Sequence, residues 1–134
     1  MATLHAEKAP IGSSEDVIKV RQLVRDHAVR LGFSLVEQTK MVTAASELAR
    51  NTLEHGGGGD MIMEEVQEGI RRGLRVTFTD QGPGIPNLDQ AMKDGFTTGG
   101  GLGLGLSGSK RLVNEFQIES KPGKGTSVTI VRWK

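Results

Sequence analysis

A chain of 134 residues without cysteine is sized for a single domain spanning residues 1–134, and it has neither a disulfide framework nor a thiolate metal site. Its 17 basic and 16 acidic residues are interspersed and nearly cancel, which gives no support to a nucleic-acid or polybasic membrane role. No apolar run approaches membrane-span length and no signal-peptide core is present, so a soluble cytoplasmic protein is expected.

Residues before Gly12 carry no period and are expected to form an edge strand or a loose arm. Ser13-Ser14-Glu15-Asp16 reads as a helix start, with Ser13 and Asp16 at capping-box spacing. Val17, Val20, Val24, Ala28 and Leu31 then recur at three and four, the buried stripe of an amphipathic helix. Gly32 stands where a C-terminal cap belongs, and His27 reads as an ordinary surface or boundary residue.

Ser34-Leu35-Val36-Glu37 is a second capping box, opening a long helix that reaches His55. Leu35, Val42, Ala45, Leu48 and Ala49 supply its apolar side. Thr43, Glu47, Asn51 and His55 repeat every four residues and form one polar strip. Spacing alone leaves this strip equally a solvated face or a ligand-facing one. The small residues Ala44, Ala45, Ser46 and Ala49 around it suggest close packing, where a carboxylate and an amide are costly unless they meet a partner.

Gly56 to Gly59 end the helix, and Met61 to Gln67 and Leu74 to Thr79 read as two strands joined through Glu68 to Gly73. The second strand runs into Asp80-Gln81-Gly82-Pro83-Gly84-Ile85-Pro86, a rigid turn that begins from a carboxylate. It is either a plain turn with an Asp cap or a carboxylate held to accept hydrogen bonds from a planar nitrogen base. A short helix is expected over Leu88 to Lys93, followed by Phe96-Thr97-Thr98.

Glycine is the compositional outlier, 19 residues in all, and much of the excess falls between Gly95 and Gly108. Gly99-Gly100-Gly101-Leu102-Gly103-Leu104-Gly105-Leu106 feeds an apolar-periodic run from Leu106 to Phe116, expected to be helical. Such a loop entering a helix gathers free N–H groups and suits a phosphate chain. Gly103, Gly105 and Gly108 match the dinucleotide fingerprint in spacing, but no strand precedes them, so that reading fails. Ser109 intervenes between Gly108 and Lys110, so the Walker A pattern fails as well. Two last strands, Gln117 to Ser120 and Ser127 to Trp133, flank a hairpin loop at Pro122 to Thr126. This order, without a βα rhythm, argues for an α/β (α+β) two-layer sandwich with helices on one face of a mixed, largely antiparallel sheet.

Four elements together resemble the GHKL nucleotide-binding family of gyrase, Hsp90, histidine kinases and MutL. Glu47-Leu48-Ala49-Arg50-Asn51 is similar to its N box, and Asp80-Gln81-Gly82-Pro83-Gly84 to its first glycine box. Gly101-Leu102-Gly103-Leu104-Gly105-Leu106 is similar to the second, and Gly123-Lys124-Gly125-Thr126 to the last. The resemblance implies the Bergerat fold with ATP held beneath a glycine-rich lid. It implies that Asp80 accepts from the adenine amino group, with Gly82 and Gly84 beside the purine and Thr126 closing the hydrogen bonding. Asn51 would ligate Mg²⁺; Gly101, Leu102, Gly103, Leu104 and Gly105 would hold the phosphates; Glu47 would be the catalytic base.

Within the family, the absence of further domains and the surrounding residues look closely like the small switch-protein branch, in particular the RsbT-type serine kinases. That resemblance implies a STAS-domain antagonist as substrate and a PP2C-type phosphatase as a second partner. An anti-sigma factor holding a sigma subunit, with kinase activity secondary, is the alternative. Anti-sigma members often carry an Arg before the second glycine box, where this chain has Gly99 and Gly100. Arg50, Lys110 and Arg111 are therefore the candidates to face the γ-phosphate.

Overall fold

The computed structural model describes residues 1–85, 92 and 105–134. The expected helix at Leu88 to Lys93, the Phe96-Thr97-Thr98 segment and the glycine run from Gly99 to Leu104 fall outside the described residues, Met92 excepted. Within them the chain runs β1 (Ala2–Ile11), α1 (Ser14–Arg30), α2 (Leu35–Glu54), β2 (Gly59–Glu68) and β3 (Arg71–Asp80). It continues with α3 (Gly105–Arg111), β4 (Glu115–Ser120) and β5 (Thr126–Trp133). The sheet order is β1-β2-β3-β5-β4, and the expected largely antiparallel sheet is antiparallel at all four of these pairings.

Both long helices start and stop where their local chemistry dictates. Ser13 Oγ accepts from the Asp16 N–H at 3.3 Å, while the Asp16 carboxylate takes the Gly12 N–H at 2.8 Å. Ser34 and Glu37 form the full reciprocal box, Ser34 N to Glu37 Oε1 at 2.9 Å and Glu37 N to Ser34 Oγ at 3.1 Å. That bond to the Ser34 N–H holds the Glu37 carboxyl below its usual range. α1 ends in a Schellman arrangement: Gly32, at φ +85°, donates to the Val29 carbonyl and Phe33 to the Ala28 carbonyl.

Helices and sheet meet on one face. Val17, Val20, Val24 and Ala28 of α1 and Met41, Val42, Ala45, Leu48 and Ala49 of α2 are buried with Met61, Met63, Leu74, Val76, Phe78, Val128 and Ile130 of the strands. Truncating a fully enclosed ring such as Phe78 to Ala in a core of this kind costs about 3–5 kcal/mol. Period-two alternation carries Asp80 and Thr126 onto the same covered face, and the two are cross-strand partners.

Several expectations are corrected. Leu35 lies in the first turn of α2 and is 71% exposed, so Met41 rather than Leu35 contributes to the buried side. The β2–β3 connection shrinks to Gly69-Ile70, with Gly69 at φ +62° as the first central residue of a tight hairpin. Arg71, Arg72 and Gly73 belong to β3: the Arg71 guanidinium stacks 3.9 Å above the Trp133 ring, and a Cβ on Gly73 would sit 2.7 Å from that ring. The helix expected to run to Phe116 stops at Arg111, because Asn114 turns the chain by accepting the Trp133 N–H at 2.7 Å. His27 is buried rather than superficial, bonded to Glu65 and Glu7.

Candidate functional site

The Asp80 turn is assembled from the end of β3, the end of α2 and the β4–β5 loop. Asp80 is buried, and its Oδ1 accepts the Gly82 N–H at 2.9 Å. Its Oδ2 has no protein donor among the described residues. The backbone reaches this carboxylate without side chains in the way. A Cβ on Gly56 would fall 2.3 Å from Asp80 Cγ, and one on Gly82 would fall 2.7 Å from Gly56 Cα. The C-terminal end of α2 therefore rests directly on the Asp80 turn.

Gly84 has a structural reason of its own. At φ +76° it packs its Cα where a Cβ would meet the Lys121 carbonyl oxygen at 2.2 Å, and Gly123 N–H donates to the Pro83 carbonyl at 2.7 Å. The backbone of the turn thus packs directly on the β4–β5 loop. Ser120, which the sequence pattern did not single out, ties the same parts together. Its Oγ accepts the Ile85 N–H at 2.7 Å and lies 3.2 Å from the Gly125 carbonyl and 2.8 Å from Thr126 Oγ1. With one proton and two lone pairs, that hydroxyl is fully used by these three partners.

A cleft of about 580 Å³ opens at this end of the sheet, lined by Asp80, Gln81, Ser120, Thr126 and the basic Lys121 and Lys124. Glu47 and Asn51, on α2, are not among its lining residues. Glu47 is buried among Ala44, Ala45, Ser46 and Leu48, and its carboxylate meets Arg50 Nη1 at 3.4 Å. Asn51 is half-buried, its side-chain amide without a partner among the described residues, while its carbonyl accepts from the His55 and Gly56 N–H groups. Thr43 is half-buried and His55 exposed, so the polar strip passes from buried to open along the helix. Its middle is not a solvated face.

Gly105, at φ +63°, is buried and begins α3, where Ser109 Oγ donates to its carbonyl at 3.1 Å. Gly101, Leu102, Gly103 and Leu104 lie outside the described residues. The fit to a purine nucleotide rests on two features: the Asp80 Oδ2 acceptor beside a glycine-lined approach, and the buried Glu47 one helical turn from the half-buried Asn51. Burying a carboxylate with one loose partner is costly, and a polar ligand recovers that cost. An amide oxygen suits a hard cation that also carries phosphate oxygens.

Comparison with known proteins identifies the family. Residues 36–134 match the family model described as histidine kinase-, DNA gyrase B-, and HSP90-like ATPase. The chain is 46% identical over 118 residues to the serine/threonine-protein kinase RsbT of Bacillus subtilis (strain 168), covering 88% of this chain and 89% of that one. It is 31% identical over 123 residues to an anti-sigma F factor of Geobacillus thermodenitrificans (strain NG80-2), covering 86% and 82%. In fold it is similar to a crystal structure of the RsbU and RsbW domains of a Mycobacterium tuberculosis protein. That likeness has a TM-score of 0.68 at 19% identity and covers 97% of this chain and 33% of the other. The chain belongs to the GHKL family of histidine kinase-, DNA gyrase B- and HSP90-like ATPases.

Proposed function

We propose that this protein is an ATP- and Mg²⁺-dependent serine kinase that phosphorylates a STAS-domain antagonist in a bacterial partner-switching pathway. The observation that carries the reading is the buried Glu47 one turn from Asn51, on a helix whose end rests against Asp80. Similarity to RsbT over most of the chain supports the choice of a protein substrate. Asp80 Oδ2 accepts from the purine amino group, Gly82 and Gly84 let the ring lie against the backbone, and Thr126 borders it on the paired strand. Gly101 to Gly105 hold the phosphate chain through main-chain N–H groups.

Glu47 takes the proton of the substrate serine as its oxygen attacks, and Arg50 beside it holds the carboxylate in place. Mg²⁺ held by Asn51, when bound, neutralises charge on the phosphates, so the protein's own part is positioning and electrostatics. Phosphorylation places about two negative charges in the interface with the antagonist and frees the kinase. The freed kinase then activates a PP2C-type phosphatase. A cytoplasmic location follows from this pathway, and no described helix is long and apolar enough to cross a membrane.

The direct test is incubation with labelled ATP and candidate STAS domains, followed by identification of the modified residue. Phosphoserine on one STAS domain is expected; nucleotide binding without transfer to any of them overturns the kinase reading. The likeness to anti-sigma F factors favours a second reading, a sigma-holding protein with kinase activity secondary. Capture of a sigma subunit in a nucleotide-dependent complex would establish it.

A further inference from the structure

Away from the nucleotide site, two of the three histidines of this chain converge between β1 and α1. His5, Glu7 and His27 each offer one ligand atom, and these atoms lie within 4.8 Å of one another. We propose that they form a binding site for a divalent transition-metal ion of the zinc class, clamping the edge strand to the first helix.

Two of the three groups already stand at the spacing of ligands on one ion. His27 Nε2 lies 3.1 Å from Glu7 Oε1, close to the separation of about 3.3 Å between neighbouring ligands of a tetrahedral ion with bonds near 2.0 Å. The other ring nitrogen, Nδ1, is 2.6 Å from Glu65 Oε2, a carboxylate that is itself buried and that Arg30 Nη2 approaches at 3.3 Å. A carboxylate on the far nitrogen is the usual support of a metal-binding imidazole: it fixes the Nδ1–H tautomer and turns the Nε2 lone pair outward.

The arrangement also asks for a cation. Both ring nitrogens of the buried His27 face carboxylate oxygens, and ionised carboxylates only accept. Glu7 and the exposed His5 leave the outer side of the cluster open for entry. The sheet register shifts between Thr3 and His5, an irregularity of the kind that re-aims a side chain, and it falls beside this ligand. The His5 ring now stacks on His27 with centroids 5.3 Å apart, so His5 is the ligand that swings inward on binding. An imidazole–imidazole–carboxylate set with one open position selects zinc over magnesium or calcium.

The test uses the full-length chain after treatment with a chelator, titrated calorimetrically with zinc chloride and followed by cobalt(II) absorption. One ion per chain is expected with Kd at or below about 10 µM. Zinc at about 100 times that Kd raises Tm by roughly 10 °C. His5→Ala and Glu7→Ala, both changes at accessible positions, each weaken binding at least tenfold, and Glu65→Gln weakens it about 10–100-fold. His55→Ala, at the far end of α2, leaves binding unchanged. Absence of saturable binding below about 1 mM zinc, or an unchanged Kd in both His5→Ala and Glu7→Ala, overturns the proposal.

Discussion

Asp80→Asn isolates what the buried carboxylate does for nucleotide from what it does for the fold. The substitution is isosteric, and Asn retains one oxygen for the Gly82 N–H that Asp80 Oδ1 now accepts at 2.9 Å. The other position becomes an NH₂ group. If Asp80 Oδ2 is the acceptor for the purine amino group, as proposed, the variant offers a donor there instead, and flipping the amide only moves the clash onto Gly82. A hydrogen bond to a charged group contributes about 1.5–3 kcal/mol. Its loss raises Kd about 10–150-fold. The fold keeps its turn, so Tm should move by less than about 4 °C, the equivalent of ~1 kcal/mol in a chain of this size. Calorimetric titration with Mg-ATP and Mg-ADP, alongside thermal melts, reads both quantities. A Kd within threefold of the parent at unchanged Tm refutes the assignment of Asp80 to the purine.

Glu47→Ala should lower phosphotransfer by about 10²–10⁴-fold while nucleotide Kd changes little, because Glu47 lies a full helical turn beyond Asn51; transfer at the parental rate removes Glu47 as the base. Gly56→Ala places a Cβ 2.3 Å from Asp80 Cγ, so Tm should fall by roughly 4–10 °C and nucleotide binding should weaken with it. Ser120→Ala removes a hydroxyl shared by Ile85, Gly125 and Thr126 and should raise nucleotide Kd with only a modest loss of Tm; an unaffected Kd disconnects Ser120 from the site. The bidentate pair of Arg75 with Glu64 holds the Glu64 carboxyl below its ordinary value of 4.5. Its stabilisation is therefore complete above that pH and is lost as pH falls below it. Glu64→Gln should accordingly lose less stability than the parent between pH 6 and pH 3, measured by urea titration.

The helix caps, the strand alternation and the carboxylate turn were legible in the sequence because each is a local pattern. Ser13, Ser34 and Gly32 act through neighbours three or four residues away. What stayed hidden depends on long-range contact. Gly56 reads as one of four helix-ending glycines, and only its approach to Asp80, 24 residues later, shows why a side chain is excluded there. Ser120 sits in an unremarkable alternating strand, and its partners come from two separate loops and the start of β5. His27 lay at the boundary of a helical stripe, and its burial follows from Glu65 and Glu7 arriving from other strands. Arg71 and Arg72 look like loop residues until Trp133 gives the first of them an aromatic surface.

The contact of Gly56 with Asp80 makes α2 a ruler. From Glu47 to Glu54, the last residue of α2 before the Gly56 contact, seven helical steps span about 10.5 Å. A single residue inserted between Glu47 and Asn51 would rotate Glu47 by about 100° around the axis relative to Asn51. In the proposed reaction, the purine grip and the proton acceptor are thereby spaced by a rod whose length is set in whole residues.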